Sequence, residues 1–343
     1  MSIIFMDSFD HYTTAAQALT KGWQIGPSHF SSSVKRTGTQ SGQFQNGSIA
    51  TLPVTIPDGT AIYLHFAIYS DNVSGNLCSS ATDPASIAAT QVSVAVMTNG
   101  ALYAHLRGAV IAGTLTAPLT FRYNVWNYMQ VKFVVSDTVG EVEVYLNGAL
   151  VIDVNSKDTR YDGSLFTNAV MFGSNYSHYI DDLVISYNDA DGINDGYLGD
   201  VRVACLLPQT DAVAAGSNAD FTPSTGTDHG ALVDEATPND DTDYVSSSTL
   251  NHVDSWEFPA LGYTGDIKGV QMSLRAKKSD SGTRAIAAVT KPAATNRVHA
   301  TNHYLGMTDY VYWKAIWDQN PEDSAAWEVA DVDGAEFGVK VTV

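Results

Sequence analysis

Three runs of alternating apolar and polar residues between positions 126 and 154 constrain the fold of this chain most strongly. A period of two is that of a β-strand with one buried face, because successive side chains of a strand point to opposite faces. Between the second and third runs stand Asn147 and Gly148. This pair favours a type I′ turn, since both central residues of that turn need a positive φ. The segment therefore predicts three antiparallel strands, two of them joined by a tight hairpin.

Shorter runs of the same kind continue along the chain. They predict strands at 61–69, 91–97, 102–106 and 119–123, and in the second half at 199–208, 270–276, 285–290, 311–317 and 337–343. The small, polar residues of 70–90 predict a long loop, and residues 15–20 favour a single helical turn. Many short strands separated by turn residues are typical of an all-β sandwich.

The first half resembles a known family in its strand sequences. The strand Trp-x-Tyr-x-x-Val-x-Phe, which begins at Trp126, and the Val-Tyr-Leu-Asn-Gly run at 144–148 resemble the laminin-G/concanavalin-A-like jelly roll. Residues 5–10 resemble that family's opening strand, and residues 179–185, Tyr-Ile-Asp-Asp-Leu-Val-Ile, resemble its closing strand. The resemblance covers about residues 1–190 and implies a jelly roll whose first and last strands lie together. It implies no single function, because that sandwich serves lectins, glucanases, adhesion modules and viral proteins.

The composition of the chain changes near residue 188. A length of 343 residues suits two domains that each bury their own core. Residues 188–198 are rich in Asp, Asn and Gly and predict a linker. The predicted fold class is therefore all-β, with an N-terminal concanavalin-A-like jelly-roll sandwich at 1–187 and a second, smaller β-sandwich at 199–343.

The second half is similar to a run found in virion structural proteins of tailed bacteriophages. The matching segments are 198–203, 207–208, 222–224, 233–235, 238–246, Trp327, 330–332 and 337–339. This resemblance covers about residues 179–343 and implies a non-enzymatic structural or accessory component of a phage particle, either a capsid decoration or a tail-associated protein. Two alternatives stay open: a tail tip or fibre adhesin that binds host surface glycans, and a free carbohydrate-binding protein.

The partners and localisation follow from that resemblance and from charge. The resemblance implies other virion proteins and further copies of this chain as partners, a host glycan as a candidate ligand, and a place in the virion after synthesis in the host cytoplasm. The 37 acidic and 18 basic residues give a net charge of -19, which predicts no nucleic-acid partner. The N-terminal residues lack a signal-peptide pattern, and no apolar run is long enough to predict membrane insertion.

The search for catalytic groups predicts that the protein is not an enzyme. Glycosidases place two carboxylates around the scissile bond, and the Glu-x-Asp-x-x-Glu motif usual for this fold is not present. Glu141 and Glu143 come nearest, but the alternation places them on the outward face of the hairpin, where a solvated role is the simpler interpretation. The two cysteines, Cys78 and Cys205, stand in different predicted domains and are each expected to be buried.

One acidic segment is a candidate calcium site. Asp189, Asp191, Asn194 and Asp195 place hard oxygen ligands over a single turn, and such ligands suit calcium. The segment lacks the central glycine and the distal glutamate of an EF-hand loop. The alternative is that Asp and Asn occur there because they favour turns. No other cofactor is predicted.

Sugar recognition needs an exposed aromatic ring beside amide or carboxylate groups. By residue type alone the candidates are Trp126, Tyr161, Trp256, Tyr304, Tyr310 and Trp313. Because Tyr and Trp also anchor cores and protein interfaces, an interface role is the preferred interpretation. His65 lies within a nearly continuous apolar run and is expected to be a core or edge histidine with satisfied hydrogen bonds.

Overall fold

The computed structural model describes residues 1–343 except 1, 25, 45–49, 72–73, 87–89, 107, 162, 174–176 and 213–217. The chain forms two compact units, unit 1 from Met1 to Val203 and unit 2 from Ala204 to Val343. Nearly all regular structure in the described residues is β-strand, as the sequence predicts.

Unit 1 is a sandwich of two antiparallel sheets. The strands are β1 (Ile3–Asp7), β2 (His29–Ser31), β3 (Ser41–Phe44), β4 (Ala50–Pro57), β5 (Ala61–Ser70), β6 (Gly75–Ala81), β7 (Thr90–Val96), β8 (Leu102–Leu106), β9 (Ala109–Val110), β10 (Trp126–Val134), β11 (Gly140–Leu146), β12 (Ala149–Lys157), β13 (Phe166–Phe172) and β14 (His178–Tyr187). One sheet has eight strands in the order β12-β11-β10-β5-β14-β3-β2, with β1 also on β14. The other has six strands in the order β4-β13-β6-β7-β8-β9. The first strand of the sheet thus lies beside the last, as the jelly-roll resemblance implies.

The core of unit 1 lies between these sheets. Phe66 of β5 and Phe172 of β13 meet across it with ring centroids 5.4 Å apart, and neither side chain has accessible surface. Burial of a side chain of this size contributes about 1.5–3 kcal/mol. The predicted hairpin is confirmed, because β11 turns into β12 through Asn147 (φ 51°) and Gly148 (φ 81°). A type I′ turn requires a positive φ at both of its central positions, and this pair meets that requirement.

A buried charge cluster closes one end of the sandwich. The Asp7 carboxylate, which has no accessible surface, accepts hydrogen bonds from Tyr12 Oη (2.7 Å) and Trp23 Nε1 (3.1 Å), and Lys21 Nζ lies 3.3 Å away. Lys21 lies on helix α1 (Ala15–Lys21), which is longer than the single predicted turn. Burial by itself would raise the pKa of Asp7, but the Lys21 ammonium and these hydrogen bonds outweigh burial and hold that pKa below its usual value.

In its described residues, unit 2 contains one six-stranded sheet and two separate pairs of antiparallel strands. Its strands are β15 (Thr210–Asp211), β16 (Thr222–Pro223), β17 (Val245–Ser246), β18 (Val253–Glu257), β19 (Val270–Ala276), β20 (Ala285–Lys291), β21 (Arg297–Val298), β22 (His303–Tyr304), β23 (Val311–Trp317) and β24 (Glu336–Val341). The order β15-β18-β24-β20-β21, with β22 on β20, forms the large sheet, while β16 pairs with β17 and β19 with β23. A 3-10 turn (Gly230–Leu232) and helix α2 (Val329–Gly334) complete it. Its core is built around Trp256, Trp327 and Phe337.

Four local predictions are wrong, each for a physical reason. The predicted loop 70–90 contains β6, a strand of small residues in which Ser79 bonds the Ser93 hydroxyl across to β7, so low hydropathy concealed a buried strand. Residues 119–123 turn instead of extending, with Leu119 at φ 63°. Residues 199–208 form no strand, and the amides of Gly199, Val201 and Val203 bond side chains instead of a neighbouring strand. Cys78 is buried as predicted, whereas Cys205 is exposed.

Candidate functional site

One face of the eight-stranded sheet packs on the core. The other face carries polar and aromatic side chains. Because side chains of a strand alternate, each core residue of β5, β10 and β11 has an outward neighbour. We call this second surface the outer face. It carries Tyr63, His65 and Tyr69 of β5, Trp126, Tyr128, Gln130 and Lys132 of β10, Glu141, Glu143 and Tyr145 of β11, and Tyr179 of β14.

An open cleft of about 490 Å³ lies at one end of the outer face. This volume is within the range of small-molecule sites. The cleft lies where β5 begins and β10 ends, beside the return of the chain after β14. It is lined by Gly59, Thr60, Ala61, Tyr63, Lys132, Val134, Val139, Glu141 and Asn188. The lining thus combines an aromatic ring, two aliphatic side chains, an amide and charged groups.

A lysine shared by two carboxylates forms the charged side of the cleft. Lys132 Nζ lies 2.5 Å from Glu141 Oε2 and 3.0 Å from Glu143 Oε1. Sheet pairing brings them together, since Lys132 is opposite Glu143 in the β10–β11 register. Partial burial lowers the pKa of Lys132, but its hydrogen bonds to Glu141 and Glu143 outweigh that effect and raise it. The cluster therefore carries one ammonium against two acidic groups.

Tyr63 forms the aromatic side of the cleft. It stands on β5 directly opposite Lys132 of β10. Burial raises the pKa of Tyr63, because the charged phenolate is poorly solvated there, so its hydroxyl stays a hydrogen-bond donor at neutral pH. The exposed Asn188 adds an amide at the rim. Carboxylates, an ammonium, a phenol and an amide offer both donors and acceptors to a polyhydroxylated ligand.

A strap of residues 197–203 lies along the outer face beyond the cleft. Tyr197 Oη donates to Glu143 Oε2 at 2.9 Å. The backbone N–H of Gly199 donates to Gln130 Oε1 at 2.8 Å, and that of Val201 donates to the Tyr128 hydroxyl at 3.1 Å. These contacts lie within unit 1 and cover the middle of the outer face.

Arg36 attaches the end of the strap. Its guanidinium donates from Nη1 to Asp182 Oδ2 at 3.0 Å and from Nη2 to Asp200 Oδ1 at 2.5 Å. The same group lies over the Tyr128 ring, 4.9 Å from its centroid. The linker predicted at 188–198 and the first residues after it thus lie with unit 1.

His65 lies in the middle of the outer face with no accessible surface. It pairs in register with Gln130 of β10, the residue that holds Gly199 of the strap. It is buried, as predicted for a core histidine, and the Gln130 side chain is its hydrogen-bonding neighbour. Burial disfavours the charged imidazolium and lowers the pKa of His65 to about 4, and the hydrogen bond with Gln130 offsets part of that effect.

Three aromatic side chains form a row at the opposite end of the outer face. Trp126, Tyr69 and Tyr179 are register partners on β10, β5 and β14. The ring centroids of Tyr69 lie 5.8 Å from Trp126 and 5.9 Å from Tyr179. Gln43 of β3 donates its amide to the Tyr179 hydroxyl at 3.1 Å. Trp126, an aromatic candidate from the sequence, therefore lies on this surface and not in the core.

The other aromatic candidates lie apart from one another. Tyr161 of unit 1 is 48% exposed. In unit 2, Trp256 is buried, Tyr304 is 59% exposed, and Tyr310 and Trp313 are half-buried. The sequence search did not single out Tyr63, Lys132 or Tyr197. Outward alternation marks the first two, but the pairing of β5 with β10 is not visible in the sequence.

The predicted calcium ligands are partly gathered. The carboxylates of Asp189, Asp191 and Asp195 offer oxygens that all lie within 4.8 Å of one another. The Ser2 hydroxyl lies 3.0 Å from Asp189 Oδ1 and 2.8 Å from Asp195 Oδ1. Asn194 adopts a positive φ of 55°, as expected of a turn residue. Hard oxygen ligands fit calcium, and the assignment stays a prediction.

Of the comparisons with known proteins, only the one with solved structures found similar chains. No protein-family model matches the chain, and no curated protein matches it. A sialidase has a TM-score of 0.36 and 14% identity, covering 55% of this chain and 19% of its own. A Trypanosoma rangeli sialidase has a TM-score of 0.34 and 12% identity, covering 47% and 26%. An alginate lyase in complex with an alginate trisaccharide has a TM-score of 0.33 and 15% identity, covering 54% and 97%.

The chain thus spans about a fifth to a quarter of the sialidases it matches. Identities this low concern the fold alone. The β-sandwich expectation agrees with these neighbours, while the virion, tail and capsid expectations have no support.

The predictions of a non-enzymatic virion component and of no enzyme are contradicted by this comparison, because the neighbours are sialidases and alginate lyases. The Asp-rich run behind the virion resemblance has a local explanation. Asp240 accepts from Arg275 Nε (2.7 Å) and Nη2 (2.9 Å), and Asp241 accepts from Lys277 Nζ (2.7 Å) and Tyr310 Oη (3.0 Å). These contacts attach the run to β19 and to the residues before β23. The predicted partners and localisation stay predictions. Among the described helices, none has the length and apolarity to cross a bilayer.

Proposed function

We propose that unit 1 is a carbohydrate-active domain that binds an uncharged sugar in the cleft of the outer face. The observation that carries this proposal is the pair of Lys132 and Glu141 in an open cleft of about 490 Å³, opposite the largely buried ring of Tyr63 and with Glu143 as the second partner of the lysine. Sugars present hydroxyl groups that both donate and accept, along with apolar C–H faces. The cleft offers partners for both.

The charge of the cleft selects among sugars. Lys132 is already paired with two carboxylates, so a uronate or sialate would meet one excess negative charge. Coulomb repulsion in a partly buried site is stronger than in bulk water. The whole chain, with a net charge of -19, adds to that repulsion. Uncharged hexoses and their oligomers are therefore the favoured class.

Exposure determines which groups are available to the ligand. The Glu141 side chain is 32% exposed and Glu143 is 24% exposed, whereas Lys132 is 16% exposed. Glu141 is thus the group best placed to accept hydrogen bonds from sugar hydroxyls. The contact with Lys132 holds its carboxylate in position. Charge-assisted hydrogen bonds of this kind are about twice as strong as neutral ones.

Saturation-transfer NMR of the full chain against neutral and uronic oligosaccharides tests the proposal. We expect transfer to neutral sugars, and its loss in Glu141→Gln and Tyr63→Ala. Asp83→Asn, an exposed acid outside the cleft, is the matched control and should bind as the wild type does. The same samples are assayed for shortened products, which would make the domain an enzyme acting in this cleft. No transfer to any neutral sugar, or transfer in Glu141→Gln equal to that in the wild type, overturns the proposal.

A further inference from the structure

The aromatic row at the far end of the outer face continues across two further strands. Gln43 of β3 pairs in register with Tyr179, and His29 of β2 pairs with Gln43. Cross-strand partners share a face of the sheet, so Trp126, Tyr69, Tyr179, Gln43 and His29 form one line across five strands. With strands about 4.8 Å apart, this line is about 19 Å long. It crosses the end of β5, whereas the cleft lies where β5 begins.

The rings of the row are held in place and keep part of their surface accessible. Trp126 Nε1 donates to the Lys35 carbonyl oxygen at 3.2 Å, and Gln43 donates its amide to the Tyr179 hydroxyl at 3.1 Å. Tyr69 stands between the two other rings and contacts both. All three aromatic residues are half-buried. Side chains that are fixed before binding lose little conformational freedom when a ligand stacks on them.

The angles between the rings determine which shapes can stack on them. The Tyr69 ring is tilted by 56° from Trp126 and by 70° from Tyr179, so a flat surface can stack on only one of the three at a time. The centroid spacings of 5.8 and 5.9 Å are close to the length of one sugar unit in a chain. A glycan whose successive units turn presents a new ring face at each step. A proline-rich peptide fits less well, because a polyproline helix returns to the same face only about every 9 Å.

The polar and charged neighbours of the row favour a neutral ligand. Burial, the Asp71 carboxylate and Tyr69 raise the pKa of Tyr179, so its hydroxyl stays protonated at neutral pH. Lys35 adjoins the row at Trp126, and its charge offsets that of Asp71. Together with the Gln43 amide, these groups offer hydrogen bonds to sugar hydroxyls without an excess charge of either sign.

We propose that the aromatic row is a second glycan site, separate from the cleft, which binds a neutral glycan chain of helical shape. Stacking on the tilted rings supplies the apolar contact, and the Gln43 amide and the Tyr179 hydroxyl bond the sugar hydroxyls. The row thus attaches unit 1 to a polymer at one end of the outer face, while the cleft at the other end binds its own sugar. This inference goes beyond the proposed function, and neither depends on the other.

Affinity electrophoresis of the full chain in gels that contain laminarin or amylose, two soluble neutral glucans with helical chains, tests the inference. We expect at least one of them to retard the wild type. In Trp126→Ala the Kd for that glucan should rise at least about tenfold, because the largest ring of the row is lost. Saturation transfer to short neutral sugars in the cleft should persist in this variant. Glu141→Gln should show the reverse pattern, and Tyr161→Ala, which removes an exposed tyrosine outside the row, should match the wild type in both assays.

Further variants and probes keep the outcomes separate. If Trp126→Ala does not fold, Tyr69→Leu replaces it, since leucine keeps an apolar side chain without a ring face. Wild-type glucan affinity in a folded Ala or Leu variant overturns the inference, as does a wild type that binds neither glucan. Tighter binding to microcrystalline cellulose, which is flat, or to decaproline also overturns it. Glucan binding that depends on Trp126, without transfer to any short sugar, supports the inference and overturns the proposed function instead.

Discussion

Two lysine–carboxylate clusters among the described residues of unit 1 differ mainly in burial. In the first, Lys21 lies 3.3 Å from Asp7, and their side chains are 3% and 0% exposed. In the second, Lys132 lies within 3.0 Å of Glu141 and Glu143, whose side chains are 32% and 24% exposed. The first is enclosed by core aromatic rings, and the second borders an open cleft.

The difference shows how the same pair of charges serves two purposes. Removal of a charge from water is costly, so a buried pair persists only if its remaining hydrogen bonds are made. Asp7 meets this condition through Tyr12 and Trp23. At the cleft the carboxylates keep part of their surface free for solvent. Such a cluster contributes little to stability and keeps its capacity to bind a ligand.

The largest effect is expected from Asp7→Ala. Removal of this carboxylate leaves the Lys21 ammonium buried without its partner, at a cost of about 3–5 kcal/mol. Hydrogen exchange of the β5 and β10 core amides measures the loss in unit 1 alone. The double variant Asp7→Leu/Lys21→Met removes both charges and should recover part of it. A cost below 1 kcal/mol for Asp7→Ala would erase the contrast between the clusters.

The stability of unit 1 in acid should also reveal the contribution of the buried cluster. The folded-state pKa of Asp7 lies below its unfolded value, so the carboxylate's contribution to stability is complete above the unfolded value, near pH 4, and declines as the pH falls through the folded pKa. Unit 1 should therefore unfold more readily below about pH 4. Asp7→Asn, already less stable at neutral pH, should lose less over that window. Parallel pH curves for the two proteins would contradict the assignment.

Lys132→Met should have a small effect on stability and a large effect on binding. Glu141 and Glu143 lose their shared partner, yet both are partly solvated, so we expect a cost of about 1 kcal/mol or less in unfolding. Sugar affinity should fall at least about tenfold, because Glu141 is no longer held in place. Hydrogen exchange and calorimetric titration of the same variant measure the two effects. A large loss of stability with unchanged binding would reverse the proposed roles.

The smallest effect is expected at a solvent-exposed pair in unit 2. Lys268 Nζ lies 3.3 Å from Asp266 Oδ2, with side chains 36% and 87% exposed. Lys268→Ala should change the stability of unit 2 by no more than about 0.5 kcal/mol. Urea unfolding followed by the tryptophans of unit 2 provides the measurement. A larger change would show that the exposure of an ion pair does not by itself predict its contribution to stability.

The sequence by itself determined the local conformations of this protein. Alternation of apolar residues and the Asn147–Gly148 pair define β10, β11 and β12, because strand period and turn φ are properties of neighbouring residues. The same alternation identified β19, β20, β23 and β24. It failed at β6, whose small residues carry no apolar signal, and at 199–208, where backbone amides bond side chains instead of a neighbouring strand.

Only the tertiary structure decided the cleft. Lys132 and Glu141 stand on the consecutive strands β10 and β11, whereas Tyr63 lies far from them in sequence and reaches the same face only through the β5–β10 pairing. The sequence interpreted Glu141 and Glu143 as a solvated surface, because alternation gives the face of a side chain and not its neighbours. Tyr197 lay in a predicted linker, and no local pattern indicates that such a segment returns along a sheet. Long-range packing determines which groups converge, and so determines the site.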